Sequence, residues 1–145
     1  MPFHYSALIF QPGDRILPGS WGRRILSDGP SHEFFYREQV WESSRADAFT
    51  ERPSRMASAY AFEDFAIACK FANDSSTPHY VYSVKVAGTP FKADMGWITA
   101  ARDARSFDEV DHCIRSYWRG EMRIPACVEL LSTRPLVVVE RLICA

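Results

Sequence analysis

Glu129 stands inside an apolar run, Ala126-Cys127-Val128-Glu129-Leu130-Leu131. On a strand, alternation would turn such a carboxylate to solvent; in a cleft it would stabilise a developing positive charge. Asp94, in Lys92-Ala93-Asp94-Met95-Gly96-Trp97, is a second carboxylate and could take a proton from an incoming nucleophile. His4 lies between Phe3 and Tyr5, either as an edge-strand histidine near a terminus or as a pocket group. Arg55 and Ser58 precede Tyr60, and Phe71 follows further on. Aromatic faces stack on planar cationic rings, and an arginine fork pairs with phosphate oxygens. The stretch 51–74 therefore reads in two ways: a strand packed on a helix, or the wall of a pocket for an aromatic, negatively charged ligand.

Several chemistries lack their residues. No G-x-G-x-x-G or G-x-x-x-x-G-K loop is present, nor a G-x-S-x-G elbow, nor H-E-x-x-H. Cys69, Cys113, Cys127 and Cys144 are scattered without a C-x-x-C, and the four histidines are dispersed. Neither zinc nor any other metal site is expected, and reduced thiols in a cytoplasmic setting are. The net charge of -1 offers no global field for nucleic acid or an acidic membrane. Of 17 basic residues only Lys70, Lys85 and Lys92 are lysines, a bias that suits planar anion recognition but that genomic base composition also produces. The opening MPFHYSALIF has no basic region or long apolar core, so no signal peptide is expected, and no stretch approaches a membrane span.

The elements that must position these groups follow from pattern. A length of 145 residues suits one domain, 1–145. HYSALIF reads as a first strand, followed by turn-rich QPGDRILPGSWGRR. Pro30-Ser31 opens a helix with Phe34, Trp41 and Ala48 at heptad spacing. RMASAYAF reads as a strand and EDFAIACKFA as a helix with an acidic start. In HYVYSVKV, Tyr80, Tyr82, Val84 and Val86 share one strand face, and AGTPFKADMGW reads as a loop. Ser106-x-x-Glu109 is a capping box for a helix carrying Phe107, Val110, Ile114 and Tyr117, ending at Gly120. ACVELL and PLVVVERL close the chain as strands around a turn at STRP. Strands at the ends and helices between them make an α+β pattern.

The serial order of FHYSALIFQPGDRILPGSWG, PSRMASAYAFEDFAIACKFA, YVYSVKVAGTPFKADM, SYWRG and VELLSTRPLVVVERL, over roughly residues 3 to 141, resembles the ADP-ribosyltransferase superfamily. The likeness is to a poorly characterised bacterial family within it and to the small rifampin ADP-ribosyltransferases. It implies a split β-sandwich with NAD in a cleft. It maps His4 onto a histidine at the ribose and nicotinamide side, Tyr60 and Phe71 onto stacking aromatics, and Glu129 onto the last-strand glutamate. Ser58 would share the nicotinamide wall, Arg55 would pair with the pyrophosphate, and Asp94 would serve the acceptor. The implied reaction is transfer of ADP-ribose from NAD to a protein, nucleic acid or small molecule, with nicotinamide released. It would take place in the cytoplasm, or in a target cell's cytoplasm for a bacterial toxin or effector. The chain carries His4 where the arginine-specific subgroup has arginine, and Cys127 where that subgroup has its other glutamate. Arginine-directed modification is therefore not implied. NAD hydrolysis, removal of an RNA 2′-phosphate, and a non-catalytic NAD-binding or interaction domain remain open.

Overall fold

A computed structural model describes residues 1–145. The alternating segments become seven strands: β1 (Phe3–Ser6), β2 (Arg15–Ile16), β3 (Ala59–Phe62), β4 (Tyr80–Val86), β5 (Phe91–Asp94), β6 (Val128–Ser132) and β7 (Leu136–Leu142). The helices are α1 (Ser20–Asp28), α2 (Phe35–Ala48), α3 (Phe65–Asp74), α4 (Gly96–Arg102) and α5 (Phe107–Arg119), with 3-10 turns at Gly29–Ser31 and Arg55–Ala57. The result is an α+β domain. No helix is long and apolar enough to cross a membrane.

All strand pairings are antiparallel, in the order β2-β7-β4-β1-β3-β6-β5. β1 is thus the central strand, not an edge. It pairs with β4 from Phe3↔Ser83 to Ser6↔Tyr80, but with β3 only at Phe3↔Phe62. The sheet is therefore two halves, β2-β7-β4-β1 and β3-β6-β5, joined at a one-pair seam. One buried cluster draws on both halves: Ile16, Tyr82, Val84, Leu136 and Val138 from the first, Ala59, Ala61 and Leu130 from the second. Every member is a strand residue, so this face is covered by the sheet turning on itself rather than by a helix. Tyr80 and Val86 pack on the same cluster, as the alternation of HYVYSVKV requires.

Helices cover the opposite face. α3 packs Ala68, Cys69 and Ala72 on Phe62 and Val81. Trp41 of α2, Ile98 of α4, and Ile114, Tyr117 and Trp118 of α5 pack with Ala93 and Leu131. α3 starts at Asp64, whose side chain accepts from the amides of Ala66 and Ile67 at 2.7 and 3.3 Å, so the acid caps the helix from outside its first turn. α5 is capped by Ser106 Oγ, which accepts from the Glu109 amide at 3.1 Å, and it ends at Gly120 with φ 78°.

Several expectations are corrected. The turn-rich stretch 11–24 contains β2 and the start of α1, and the expected loop 87–97 contains β5 and the start of α4. In both, short elements are held by long-range pairing, β2 to β7 and β5 to β6, which local turn chemistry does not report. The helix expected at Pro30 begins at Phe35, after a 3-10 turn containing that proline. RMASAYAF is strand only from Ala59, because Ser54 caps a 3-10 turn through Arg55–Ala57. Phe107 is 95% exposed: it occupies the first helical position, and the buried stripe of α5 starts a turn later. Cys69 and Cys144 are not thiols but a disulfide, with Cα atoms 5.6 Å apart. β7 brings Leu142 opposite Val81, which packs against Cys69, so the chain's last residues arrive beside α3. The thiol argument for a cytoplasmic setting falls with that pair.

The 3-10 turn carrying Arg55 is clamped by α1. A Cβ on Gly22 would lie 2.0 Å from the Met56 carbonyl oxygen and 2.8 Å from its carbon. Backbone cannot yield as a side-chain tip does. Gly22→Ala is expected to destabilise the domain by about 3 kcal/mol, the upper range for overpacking, read as a lower urea midpoint.

Candidate functional site

Two neighbouring groups of side chains concentrate the chemistry. The first is a buried ionic cluster on the helix-covered face. Arg55, Glu38 and Glu129 are respectively 8%, 1% and 2% exposed. Arg55 approaches Glu38 with a fork, Nε to Oε2 at 3.1 Å and Nη2 to Oε1 at 3.2 Å. Its Nη1 donates to the Tyr117 hydroxyl at 2.7 Å and also to Glu129 Oε1, which accepts from Tyr117 as well. Arg37 Nη2 donates to Glu38 Oε1 at 2.7 Å. Two carboxylates thus face two guanidiniums. Glu129 Oε1 takes two donors, while Oε2 makes no hydrogen bond.

Burial opposes ionisation of Glu38, but Arg55 and Arg37 outweigh it and hold the carboxyl down to about 2. Burial also acts against the Arg55 charge, and Glu38 with Tyr117 reverses this, so the guanidinium is held more firmly protonated than usual. The Tyr117 phenol is pushed up to about 12, chiefly by burial, and stays a donor at neutral pH.

The second group lies at the seam. Beyond Phe3↔Phe62 no ladder joins β1 to β3, and side chains bridge instead. His4 Nδ1 meets the Tyr60 carbonyl at 2.7 Å. A carbonyl only accepts, so the proton sits on Nδ1 and the lone pair on Nε2. The His4 and Tyr60 rings are 4.8 Å apart, and the Tyr60 hydroxyl reaches the Tyr5 carbonyl at 3.5 Å. Burial raises the phenols of both Tyr5 and Tyr60, while Arg55 and Arg24 act on both in the opposite sense, and Arg37 on Tyr5. The seam aromatics therefore sit in the positive field of the neighbouring cluster. Arg24 is largely exposed and Arg37 partly so.

His4 is buried and its ring is pushed down to about 4, mainly by desolvation, with the Tyr60 carbonyl opposing. The native ring is neutral where the unfolded one, at 6.5, is charged. The unfolded chain binds the extra proton between those values, so stability is complete above pH 6.5 and falls as pH drops toward 4. His4→Gln is expected to remove about 3 kcal/mol of this pH dependence, measured by urea melts from pH 7 to 4.

The residues singled out from sequence divide clearly. Arg55 and Glu129 meet in the cluster, and His4 meets Tyr60 at the seam. Ser58 is buried and donates to the Ser54 carbonyl at 2.7 Å, so it shapes the turn rather than a pocket wall. Phe71, half-buried, stacks on Tyr5 and Phe62 at interplanar angles of 12° and 19°, and so backs Tyr5. Arg55 is committed to two carboxylates and is not free for a pyrophosphate. Glu129 neither faces solvent nor stands alone.

Asp94 is the main correction. It is fully buried, and its oxygens accept from the amides of Gly96 and Arg123 at 2.7 Å and Cys127 at 2.9 Å. A carboxylate holding three backbone amides has no role left with an incoming acceptor; it fastens the chain before β6 to the end of β5. Glu38, Tyr117, Arg24 and Arg37 were not singled out. Glu38 had a signal: four residues after Phe34 and three before Trp41, it lies on the apolar stripe of α2.

No curated protein matches the chain. A family profile described as a protein of unknown function (DUF2441) matches residues 26–142, from the last turn of α1 to the end of β7. That span holds the whole ionic cluster and Tyr60, and leaves out β1 with His4. The chain belongs to this family, DUF2441.

Proposed function

We propose that the chain binds NAD at the seam between β1 and β3 and transfers its ADP-ribose to an acceptor, releasing nicotinamide. The observation that carries this reading is the parting of the sheet after a single pair, with His4 and Tyr60 meeting where it opens. Two half-sheets joined at one pair and closed over a shared core suit a split β-sandwich, the fold that the sequence resemblance implies.

The roles follow from the chemistry. Tyr60, half-buried, offers a ring face to the nicotinamide. His4, neutral and protonated on Nδ1, presents Nε2 as an acceptor for a ribose hydroxyl. Arg24, largely exposed, and Arg37, partly so, are better suited than Arg55 to the pyrophosphate, and both act on Tyr5. Cleavage breaks the bond between ribose C1′ and the nicotinamide nitrogen. Its electron pair leaves with neutral nicotinamide, and C1′ becomes oxocarbenium-like. The unengaged Oε2 of Glu129 is the carboxylate oxygen available to that charge. The acceptor's oxygen or nitrogen then bonds to C1′ and gives its proton to solvent or a base.

Calorimetry with NAD, followed by measurement of nicotinamide, tests this directly. Saturable binding with release is the expected result; binding without release reduces the chain to an NAD-binding domain, and no binding ends the reading. Tyr60→Ala is expected to weaken NAD binding by about 1–3 kcal/mol, the usual worth of a stacked ring. If it lowers only the melting temperature, with affinity unchanged in the folded protein, Tyr60 is core.

A further inference from the structure

A cavity of about 710 Å³ lies away from the seam, and its lining contains none of His4, Tyr60, Arg55 or Glu129. Its size is within the range of small-molecule sites. Four separate segments each bring it one cation: Arg52 from the chain after α2, Lys92 from β5, Arg119 from the end of α5, and Arg134 from the β6–β7 turn. Glu51 is the only acid in its lining. In a chain of net charge -1 this is a local concentration of positive charge, not a general one.

The four cations are not equivalent. Arg52 is built into the wall: Nε donates to the Trp118 carbonyl at 2.8 Å, Nη2 to that of Arg119 at 3.4 Å, and its guanidinium lies 4.5 Å from the Phe91 ring centre. Lys92 reaches Glu63 at 3.2 Å. Arg119 has only a 4.0 Å approach to Glu121, and the Arg134 side chain makes no ion pair or hydrogen bond. The Arg134 backbone, by contrast, is fixed, because Ser132 Oγ both accepts from its amide at 3.1 Å and donates to its carbonyl at 2.8 Å. Two forks on anchored backbone are therefore uncommitted in one concavity.

We propose that this cavity binds a small ligand bearing two or more adjacent phosphates, independently of the seam. Each of the two guanidiniums can take one phosphate bidentately. A nucleic acid would call for a basic stripe tracking along a strand, whereas these groups converge on one hollow.

Inorganic tripolyphosphate is the probe, titrated into the intact protein by calorimetry beside sulfate and a short single-stranded RNA. Tripolyphosphate is expected to bind saturably and at least about tenfold more tightly than sulfate. Arg119→Gln and Arg134→Gln are each expected to weaken it about tenfold or more, the usual loss of a charged hydrogen-bonding partner. Both side chains are exposed, so melting temperatures without ligand should not change, and NAD-dependent nicotinamide release should persist in both variants. Equal affinity for sulfate and tripolyphosphate, wild-type affinity in both variants, or binding of the RNA alone would overturn the proposal. The seam reading stands or falls separately, on NAD binding and nicotinamide release by the unaltered chain.

Discussion

Arg55→Met is expected to cost about 3–5 kcal/mol of stability, the typical result of removing one partner from a buried ion pair. The substitution keeps much of the apolar volume and removes the only group that touches Glu38, Tyr117 and Glu129 together. Glu38 would retain Arg37, and Glu129 would retain the Tyr117 hydroxyl. The acid limb of the stability profile provides a second readout. In the native protein Glu38 is depressed to about 2, so its contribution is complete above its ordinary 4.5 and is lost as pH falls between those values. Without Arg55 the native carboxyl is held down less, so that loss should be smaller and end at higher pH. Urea melts at pH 7 and pH 4 measure both effects. A cost below about 1 kcal/mol would mean the cluster behaves as an exposed pair.

Glu129→Gln should leave NAD binding near its native value and lower nicotinamide release about 10²–10³-fold, comparable to removing one group that stabilises transition-state charge. Glutamine keeps the shape, and its carbonyl can still accept from Tyr117 and Arg55. It removes the anionic oxygen that has no protein partner. The effect belongs on the rate at saturating NAD, with affinity as the control. Undiminished release would take Glu129 out of the mechanism. A fall explained by a lower melting temperature would make it a member of the core only.

Much of the fold was legible because it follows local periodicity. The alternation in HYVYSVKV, the Ser106 cap and the Gly120 stop all report nearest neighbours along the chain. β2 and β5 escaped because two- and four-residue strands exist only through distant partners. The disulfide escaped for the same reason: its cysteines are separated by 75 positions, and only the course of β7 unites them. At the candidate site, types were easier to read than commitments. Sequence pointed to Arg55 and Glu129, but not to their use of each other. Glu38 was readable in principle, as a carboxylate on the stripe between Phe34 and Trp41, where burial demands a counterion. Asp94 misled because an acid near Gly96 and Trp97 looks the same whether it faces a ligand or three amides of its own chain.

The place of β7 in the sheet has a consequence for how the protein is made. β7 is made after the other six strands of the sheet, yet it is inserted between β2 and β4. Until it arrives, β2 has no partner, and β4 presents one row of bare amides and carbonyls. Leu136 and Val138 are also missing from the core shared by the two halves. A nascent or truncated chain ending before Leu136 therefore carries an open, apolar strand edge, the kind that recruits other chains. Such fragments should pellet where the full chain stays dispersed.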